Sequence, residues 1–238
     1  MSGREFCAPD DANYPKWSTL NGFIWKLLPE RAGGGFPYLS AYKDAWVLYN
    51  RLRIVATAKK YKIPPVLLGS VAWAEVGGKP DESKRPMFAF RSFDWSGPDW
   101  VDRNLTVSKP PGQTSFGAVS IQLRAAAREL SLDVETMDYE DELRLISCLE
   151  TDVFNLDIVA KHLQGLILHD YPAADTQSLS EEQFIVAGAR YNRGIERALS
   201  DITDSLRATP GSQGREYSSY GRAMVLHRQH VEELLNRM

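Results

Sequence analysis

The segment that decides the fold spans residues 64–78 and reads PPVLLGSVAWAEVGG. Pro64 and Pro65 suit the first turn of a helix, because proline fixes φ and lacks an N–H that a first turn would leave unpaired. Gly77 and Gly78 suit its end, since glycine adopts the left-handed conformation that closes many helices. The segment therefore predicts a short apolar helix with residue 75 in its last turn.

A carboxylate lies on the apolar side of this predicted helix. Leu68, Val71 and Ala72 precede Glu75 by seven, four and three residues, so the four share one face. Burial and the negative end of the helix dipole both predict a raised pKa for the Glu75 carboxyl, as a general acid near neutral pH requires. The alternative is a structural glutamate that reaches solvent or pairs with an arginine.

Length and composition are those of an ordinary globular chain. Its 238 residues, 43% hydrophobic and 25% charged, suffice for one large domain or two small ones. A net charge of −3 and scattered lysines and arginines give no basic field for nucleic acid. No apolar run reaches the roughly 18 residues of a membrane span, and the N-terminus has no hydrophobic signal-peptide core. We expect no nucleic-acid partner, no membrane insertion, and synthesis in the cytoplasm.

The cysteines and histidines predict no metal site. Cys7 and Cys148 can form one disulfide, but Cys148 lies in an apolar run and also suits a small core residue. Four scattered histidines and two distant cysteines give no metal-ligand spacing. The sequence contains no nucleotide-binding loop and no nucleophile elbow. We therefore expect no metal and no cofactor.

The hydrophobic pattern predicts a mainly α protein, a helical domain with a small loop or β-hairpin lobe. Residues 1–40 are expected to be an irregular extension packed on the core, and residues 41–238 the main domain. Within it, residues 78–117 hold five prolines and several aromatic residues, which indicates the lobe.

Apolar residues at three- and four-residue steps predict helices on either side of this lobe. The first helix covers residues 41–62, and its expected apolar face carries Ala45, Leu48, Leu52 and Val55. After the lobe, helices are predicted over residues 119–131, 139–149, 152–168, 180–191, 193–207 and 218–236.

Three further segments place polar side chains where a ligand or a backbone could bind them. Ser115 lies among small residues that permit close approach, and Gln122 presents an amide from the start of a helix, or simply faces solvent there. Asn155, within an apolar face, is expected to anchor a neighbouring backbone. Tyr191 and Asn192 either hydrogen-bond a sugar or an N-acetyl group, or merely finish a helix.

The order of these segments resembles the lysozyme superfamily, in particular the goose-type lysozymes and soluble lytic transglycosylases. In that family a helix ending in Glu, often Glu-Ser, precedes a small lobe and a segment that often reads Gly-Leu-Met-Gln. An Asn-Ile helix and an Ala-Tyr-Asn-x-Gly segment follow. The resemblance covers about residues 42–195, and the matching positions are Glu75, Gln122, Asn155, Tyr191 and Asn192.

The chain departs from the family pattern at three places. Val76 stands where serine often follows the glutamate, and Ala-Val-Ser-Ile precedes Gln122 in place of Gly-Leu-Met. Arg190 replaces the usual alanine before the tyrosine. The geometry of the loop before Gln122 therefore stays open.

The resemblance implies cleavage of the β-1,4 bond between N-acetylmuramic acid and N-acetylglucosamine in peptidoglycan. Glu75 would protonate the glycosidic oxygen, and Ser115, Gln122, Tyr191 and Asn192 would bind the glycan strand. A hydrolase also needs a second carboxylate. A lytic transglycosylase manages with one, because the muramic 6-hydroxyl attacks internally.

Asp94 is the first choice for the second carboxylate, because aromatic residues flank it. It is equally well explained as an ordinary turn residue before Gly97. Asp99 and Asp102 are the other acids of the lobe. Hydrolase and transglycosylase thus remain alternatives.

Other functions agree with the same sequence. A toxin or lysin delivered to the cell wall would act in the periplasm and would need an immunity protein that plugs its cleft. A non-catalytic wall-binding module of the same fold is an alternative from another class, and a chitin-cleaving enzyme is a third. Activity on purified sacculi separates the first two.

Overall fold

The computed structural model describes residues 5–8, 12–95, 106 and 108–237. This part of the chain is mainly helical with one small antiparallel sheet, which confirms the predicted class of a mainly α fold with a small β lobe. The sheet consists of β1 Ser115–Phe116 and β2 Ile121–Gln122. The α-helices in the described ranges are α1 Thr19–Leu27, α2 Gly35–Lys60, α3 Pro65–Glu75, α4 Lys84–Asp94, α5 Leu123–Glu129, α6 Tyr139–Leu149, α7 Asp152–Asp170, α8 Glu181–Arg193, α9 Leu199–Arg207 and α10 Ser219–Leu235.

The chain divides into two compact units. The first comprises Met1–Lys43 and Glu75–Ile158, and it contains α1, the sheet, α4, α5 and α6. The second comprises Asp44–Ala74 and Val159–Met238, and it contains α8, α9 and α10. Helices α2, α3 and α7 contribute residues to both ranges.

Helix α3 begins at Pro65 and ends at Glu75, as its flanking prolines and glycines predict. It is buried on all sides, because every residue from Val66 to Trp73 is buried. Leu68, Val71 and Ala72 are buried as expected, but the other sides of the helix are buried too, so the helix is of the kind that a core surrounds. In the second unit α3 packs closely on α10, since a Cβ at Gly69 would lie 2.9 Å from a methyl group of Val231.

The buried face of α2 differs from the predicted one. Leu52 is 74% exposed and Val55 is 38% exposed, so two of the four residues expected on the apolar face point outward, while Ala45 and Leu48 are half-buried. Two polar residues, Lys43 and Asn50, lie on the face that is actually buried, and they interrupt the apolar pattern by which the sequence would have identified that face. The buried residues of this face are Leu39, Lys43, Trp46, Val47, Asn50, Ile54 and Ala58.

Residues 1–40 are not irregular throughout, because they contain α1 and the start of α2. A capping box begins α1: the Ser18 hydroxyl accepts from the Asn21 N–H, and the Asn21 side chain accepts from the Ser18 N–H. The usual box carries Glu or Gln at the third position, so asparagine there concealed the helix start.

The lobe between residues 78 and 117 contains a helix, α4, that its prolines did not predict. Pro86 lies in the first turn of α4, where a missing N–H is tolerated. The predicted hairpin is real but lies at the end of the lobe. Its second strand extends to Gln122, so α5 begins at Leu123 and not at residue 119.

Several bonds hold the N-terminal segment against the first unit. Cys7 and Cys148 form a disulfide, with their Cα atoms 5.7 Å apart. Asp152 accepts a hydrogen bond from the Tyr14 N–H over 2.9 Å and donates its own N–H to the side chain of Asn13 over 2.7 Å. Cys148 is therefore a covalent anchor as well as a small core residue.

A buried ion pair stabilises the second unit. The Arg190 guanidinium donates two hydrogen bonds, of 2.7 and 2.8 Å, to the Asp170 carboxylate, and both side chains are almost fully buried. It also donates to the Arg197 carbonyl over 2.7 Å. The arginine that departs from the family pattern thus has a structural role, in closing the end of α8.

Candidate functional site

Glu75 is the last residue of α3 and is half-buried. The chain turns directly after it, because Gly77 and Gly78 both have positive φ values of 79° and 90°. A Cβ at Gly77 would lie 2.9 Å from Leu39 Cδ1 and 3.4 Å from Tyr42 Cδ1. The turn after Glu75 therefore lies directly against the first turns of α2, and only glycine fits there.

Lys43 is the cation beside Glu75. It follows Leu39 by four residues on α2, so it lies on the face that contacts the turn. Lys43 is 6% exposed, and burial lowers its pKa to about 8. The Glu75 carboxylate acts in the opposite direction and favours the charged lysine. Of these two neighbouring groups, the sequence predicted only the acid.

The hairpin brings two of the predicted site residues together. Ser115 and Gln122 are direct cross-strand partners, as are Phe116 and Ile121. Gln122 accepts a hydrogen bond from Arg124 through its side-chain oxygen, over 2.8 Å. Both Ser115 and Gln122 are half-buried, so their polar groups remain partly accessible.

Asn155 anchors a neighbouring backbone, as predicted, and that backbone is the turn of this hairpin. Its side chain accepts from the Val119 N–H over 2.8 Å and donates to the Val119 carbonyl over 3.1 Å. Gly117, with a φ of +83°, passes so close that a Cβ would collide with the Asn155 amide and the Leu149 carbonyl. Lys84 donates to the Gly117 carbonyl over 2.7 Å and so links the turn to α4. The hairpin geometry is thus fixed from two sides.

Asp94 lies in the same unit as Glu75 but is bound locally. Its Oδ2 atom accepts hydrogen bonds from the N–H and the hydroxyl of Ser108. The indole N–H of Trp95 donates to the Ser108 carbonyl over 3.0 Å. These bonds agree with the structural alternative for Asp94, and they occupy one of its two carboxylate oxygens. Asp99 and Asp102 lie outside the described residues.

Tyr191 and Asn192 belong to the second unit, in the last turn of α8. The Tyr191 ring contacts His162 edge-on, with 6.1 Å between ring centroids, and Asn192 is exposed. Gly194 follows with a φ of +83° and ends the helix. In the first unit, the structure thus groups Glu75 with Lys43 and Ser115 with Gln122. Tyr191 and Asn192 belong to the second unit.

Glu142 is an acid of the first unit with a raised pKa, and the sequence did not single it out. It lies on α6, where burial, and then the charge of Asp138, raise its pKa to about 7. The acidic run from residue 138 to 142 was the available signal, because like charges so close together disfavour ionisation.

No protein-family model, no curated protein and no solved structure matches this chain. Within the described ranges, no three histidine, cysteine, aspartate or glutamate side chains are grouped as a metal ion would require. None of the described helices is both long and apolar enough to cross a membrane. The candidate site therefore consists of the half-buried Glu75, the buried Lys43 beside it, and the sharp turn at Gly77 and Gly78.

Proposed function

We propose that this protein is a peptidoglycan-cleaving glycosidase with a lysozyme-like active site, in which Glu75 is the general acid. One observation carries the proposal: Glu75 ends a helix that is buried from Val66 to Trp73, and it lies beside the buried Lys43. Burial and a neighbouring charge are the two factors that adjust the pKa of catalytic carboxyl groups in enzymes. The choice of peptidoglycan as substrate comes from the resemblance of the ordered segments around Glu75, Gln122, Asn155 and Tyr191 to the lysozyme superfamily.

The proposed reaction uses the two protonation states of Glu75. The neutral carboxyl donates its proton to the glycosidic oxygen, and the bond from that oxygen to C1 breaks with its electron pair leaving on the oxygen. The remaining carboxylate then accepts a proton from the nucleophile that attacks C1. Lys43 stabilises the carboxylate in this second step, since it is a cation below a pH of about 8.

Two nucleophiles are compatible with this scheme, a water molecule or the muramic 6-hydroxyl. Asp94 is hydrogen-bonded to Ser108, and this observation favours the route that needs no second carboxylate. We therefore place the lytic transglycosylase route first and the hydrolase second. Mass spectrometry of the products separates them, because 1,6-anhydro ends identify the first and reducing ends the second.

The activity is tested on purified sacculi with the wild-type protein and Glu75→Gln. Loss of a general acid is expected to reduce the rate by about 10²–10⁴-fold. Glu142→Gln is the matched control, because it removes another half-buried carboxylate of the same unit. Equal product release from the wild-type protein and Glu75→Gln, both folded by circular dichroism, would reject the assignment. Absence of release from the wild-type protein on both sacculi and chitin would favour a binding module.

The Cys7–Cys148 disulfide supports action outside the cytoplasm, where such bonds persist. We extend the proposal to an antibacterial toxin or lysin that reaches the cell wall, with an immunity protein that blocks its site in the producing cell. Export of the chain to the periplasm of a test bacterium is expected to cause lysis, and export of Glu75→Gln is not. Harmless export of an active wild-type enzyme would contradict the toxin role alone.

A further inference from the structure

The outward side of α2 is apolar over the part of the helix that belongs to the second unit. The opposite side of the helix is buried, so this stretch carries apolar residues on both sides. Leu52 is 74% exposed, and its neighbours on the outward side are exposed or half-buried. We name this side the outer stripe, and it consists of Ala45, Leu48, Tyr49, Leu52, Val55 and Ala56.

The charged residues around the outer stripe are all cations. Residues 45–74 contain no aspartate and no glutamate, although the whole chain has a net charge of −3. Lys59 and Lys60 are exposed and continue the stripe at its C-terminal end. The Arg53 guanidinium lies 5.5 Å from the centroid of the Tyr49 ring, so it borders the stripe on one side. The cations of this stretch are Arg51, Arg53, Lys59, Lys60 and Lys62.

A surface of this kind fits an anionic lipid layer better than a protein partner. A protein interface has about one hydrogen bond per 100–200 Å² of buried area, and Tyr49 is the only residue of the stripe with a polar side-chain group. The acyl region of a lipid layer offers no hydrogen-bonding groups and requires none. A second copy of the chain is disfavoured, because pairing would bring two sets of cations together without an acid among them.

We propose that the outer stripe binds an anionic lipid surface, with α2 parallel to that surface and still part of the core. The apolar side of an interfacial helix enters about 5–10 Å into the boundary between headgroups and acyl chains. The outer half of a helix about 10–12 Å in diameter is enough for this depth. Lysines at the edge keep their ammonium groups among the lipid phosphates, and tyrosine is enriched at the same boundary.

The test measures co-sedimentation of the full chain with large unilamellar vesicles. One set consists of phosphatidylcholine alone, and the other of equal parts of phosphatidylcholine and phosphatidylglycerol. The variants are Leu52→Asn within the stripe and Lys59→Gln at its end. Leu226→Asn is the control for the first, because Leu226 is an exposed leucine on α10 of the same unit. Lys109→Gln is the control for the second, because Lys109 is an exposed lysine of the first unit.

The wild-type chain is expected to bind the phosphatidylglycerol vesicles and to detach at high salt, which screens the lysines. Lys59→Gln should weaken this binding by about fivefold and Leu52→Asn by about tenfold, while both controls bind like the wild-type chain. Because the net charge of the chain is −3, a preference for phosphatidylglycerol requires a local positive face. The vesicles contain no peptidoglycan, so the result does not depend on the proposed activity.

The proposal is overturned if the chain binds both sets of vesicles equally, or if binding is unchanged in both variants, whose folding is checked by circular dichroism. A dimer that Leu52→Asn abolishes in analytical ultracentrifugation, without vesicle binding, would assign the stripe to a second copy and reject the lipid. A chain that stays monomeric and binds no vesicles would equally reject the lipid, and an acidic protein would then be the occupant to seek.

Discussion

Replacing Lys43 by methionine should remove a pH dependence from the stability of the protein. Lys43 is buried, and burial lowers its pKa from 10.5 to about 8 despite the opposing effect of Glu75. Methionine has a similar length and no charge, so Lys43→Met keeps most of the packing. The variant therefore isolates the free energy of burying the ammonium.

The magnitude and the sign follow from the two pKa values. The interval from about 8 to 10.5, at about 1.4 kcal/mol per pH unit, corresponds to about 3 kcal/mol. Below a pH of about 8 both the folded and unfolded chains hold the proton, so the folded protein bears the full cost of the buried charge. Between pH 8 and 10.5 only the unfolded chain binds it, and the free energy of unfolding rises with pH. Above 10.5 both states are neutral.

The assay is urea unfolding at intervals from pH 7 to 11, compared between the wild-type protein and Lys43→Met. The free energy of unfolding of the wild-type protein should rise by about 3 kcal/mol relative to the variant across that range. Lys59→Met, an exposed lysine of the same helix, is the control and should follow the wild-type curve. A constant difference between the wild-type protein and Lys43→Met would refute the argument.

Two further substitutions test the acids and amides of the first unit. Burial raises the pKa of Glu142 from 4.5 to about 7, so the unfolded chain loses this proton first and the free energy of unfolding falls between these two pH values. Glu142→Gln should therefore leave stability unchanged at pH 4 and increase it at pH 8 by about 1–2 kcal/mol, roughly half of what the full shift would give because the side chain is only half-buried. Glu140→Gln, the exposed neighbour, should show no such dependence in the same urea assay. Asn155→Ala should cost about 3 kcal/mol, since it leaves the N–H and the carbonyl of Val119 buried and unpaired. Val153→Ala, at a 45% exposed position of the same helix, should cost far less, and a similar loss in both variants would contradict the anchoring role.

Helix limits were the part of the fold that the sequence predicted best. Helix α6 covers residues 139–149, as predicted, and α3 ends at Glu75 before the two glycines. Such limits depend on caps and on proline or glycine within a few residues, so the local sequence contains the information. The same rule explains the missed α1, because its capping box has Asn21 where Glu or Gln is usual.

The inward face of a helix proved harder to predict than its limits. In α2 the apolar residues Leu52 and Val55 are exposed, while Lys43 is buried. The choice between two faces depends on what packs against the helix, and here the turn at Gly77 approaches Leu39. Those contacts join residues distant in sequence, so periodicity alone does not contain them. Lys43, the electrostatic neighbour of Glu75, was missed for this reason.

The surroundings of Glu75 are where the structure changes the sequence argument most. The sequence predicted an acid among apolar residues at a helix end, and the structure adds the buried Lys43 cation, which interacts with that acid. A neighbouring cation generally favours the ionised form of a carboxyl. A general acid beside a cation is protonated in a smaller fraction of molecules, but the carboxylate left after proton transfer is more stable. Such a pair suits a residue that must serve first as acid and then as base. The proposed single-carboxylate route would make this demand of Glu75, and the bonding of Asp94 to Ser108 supports that proposal.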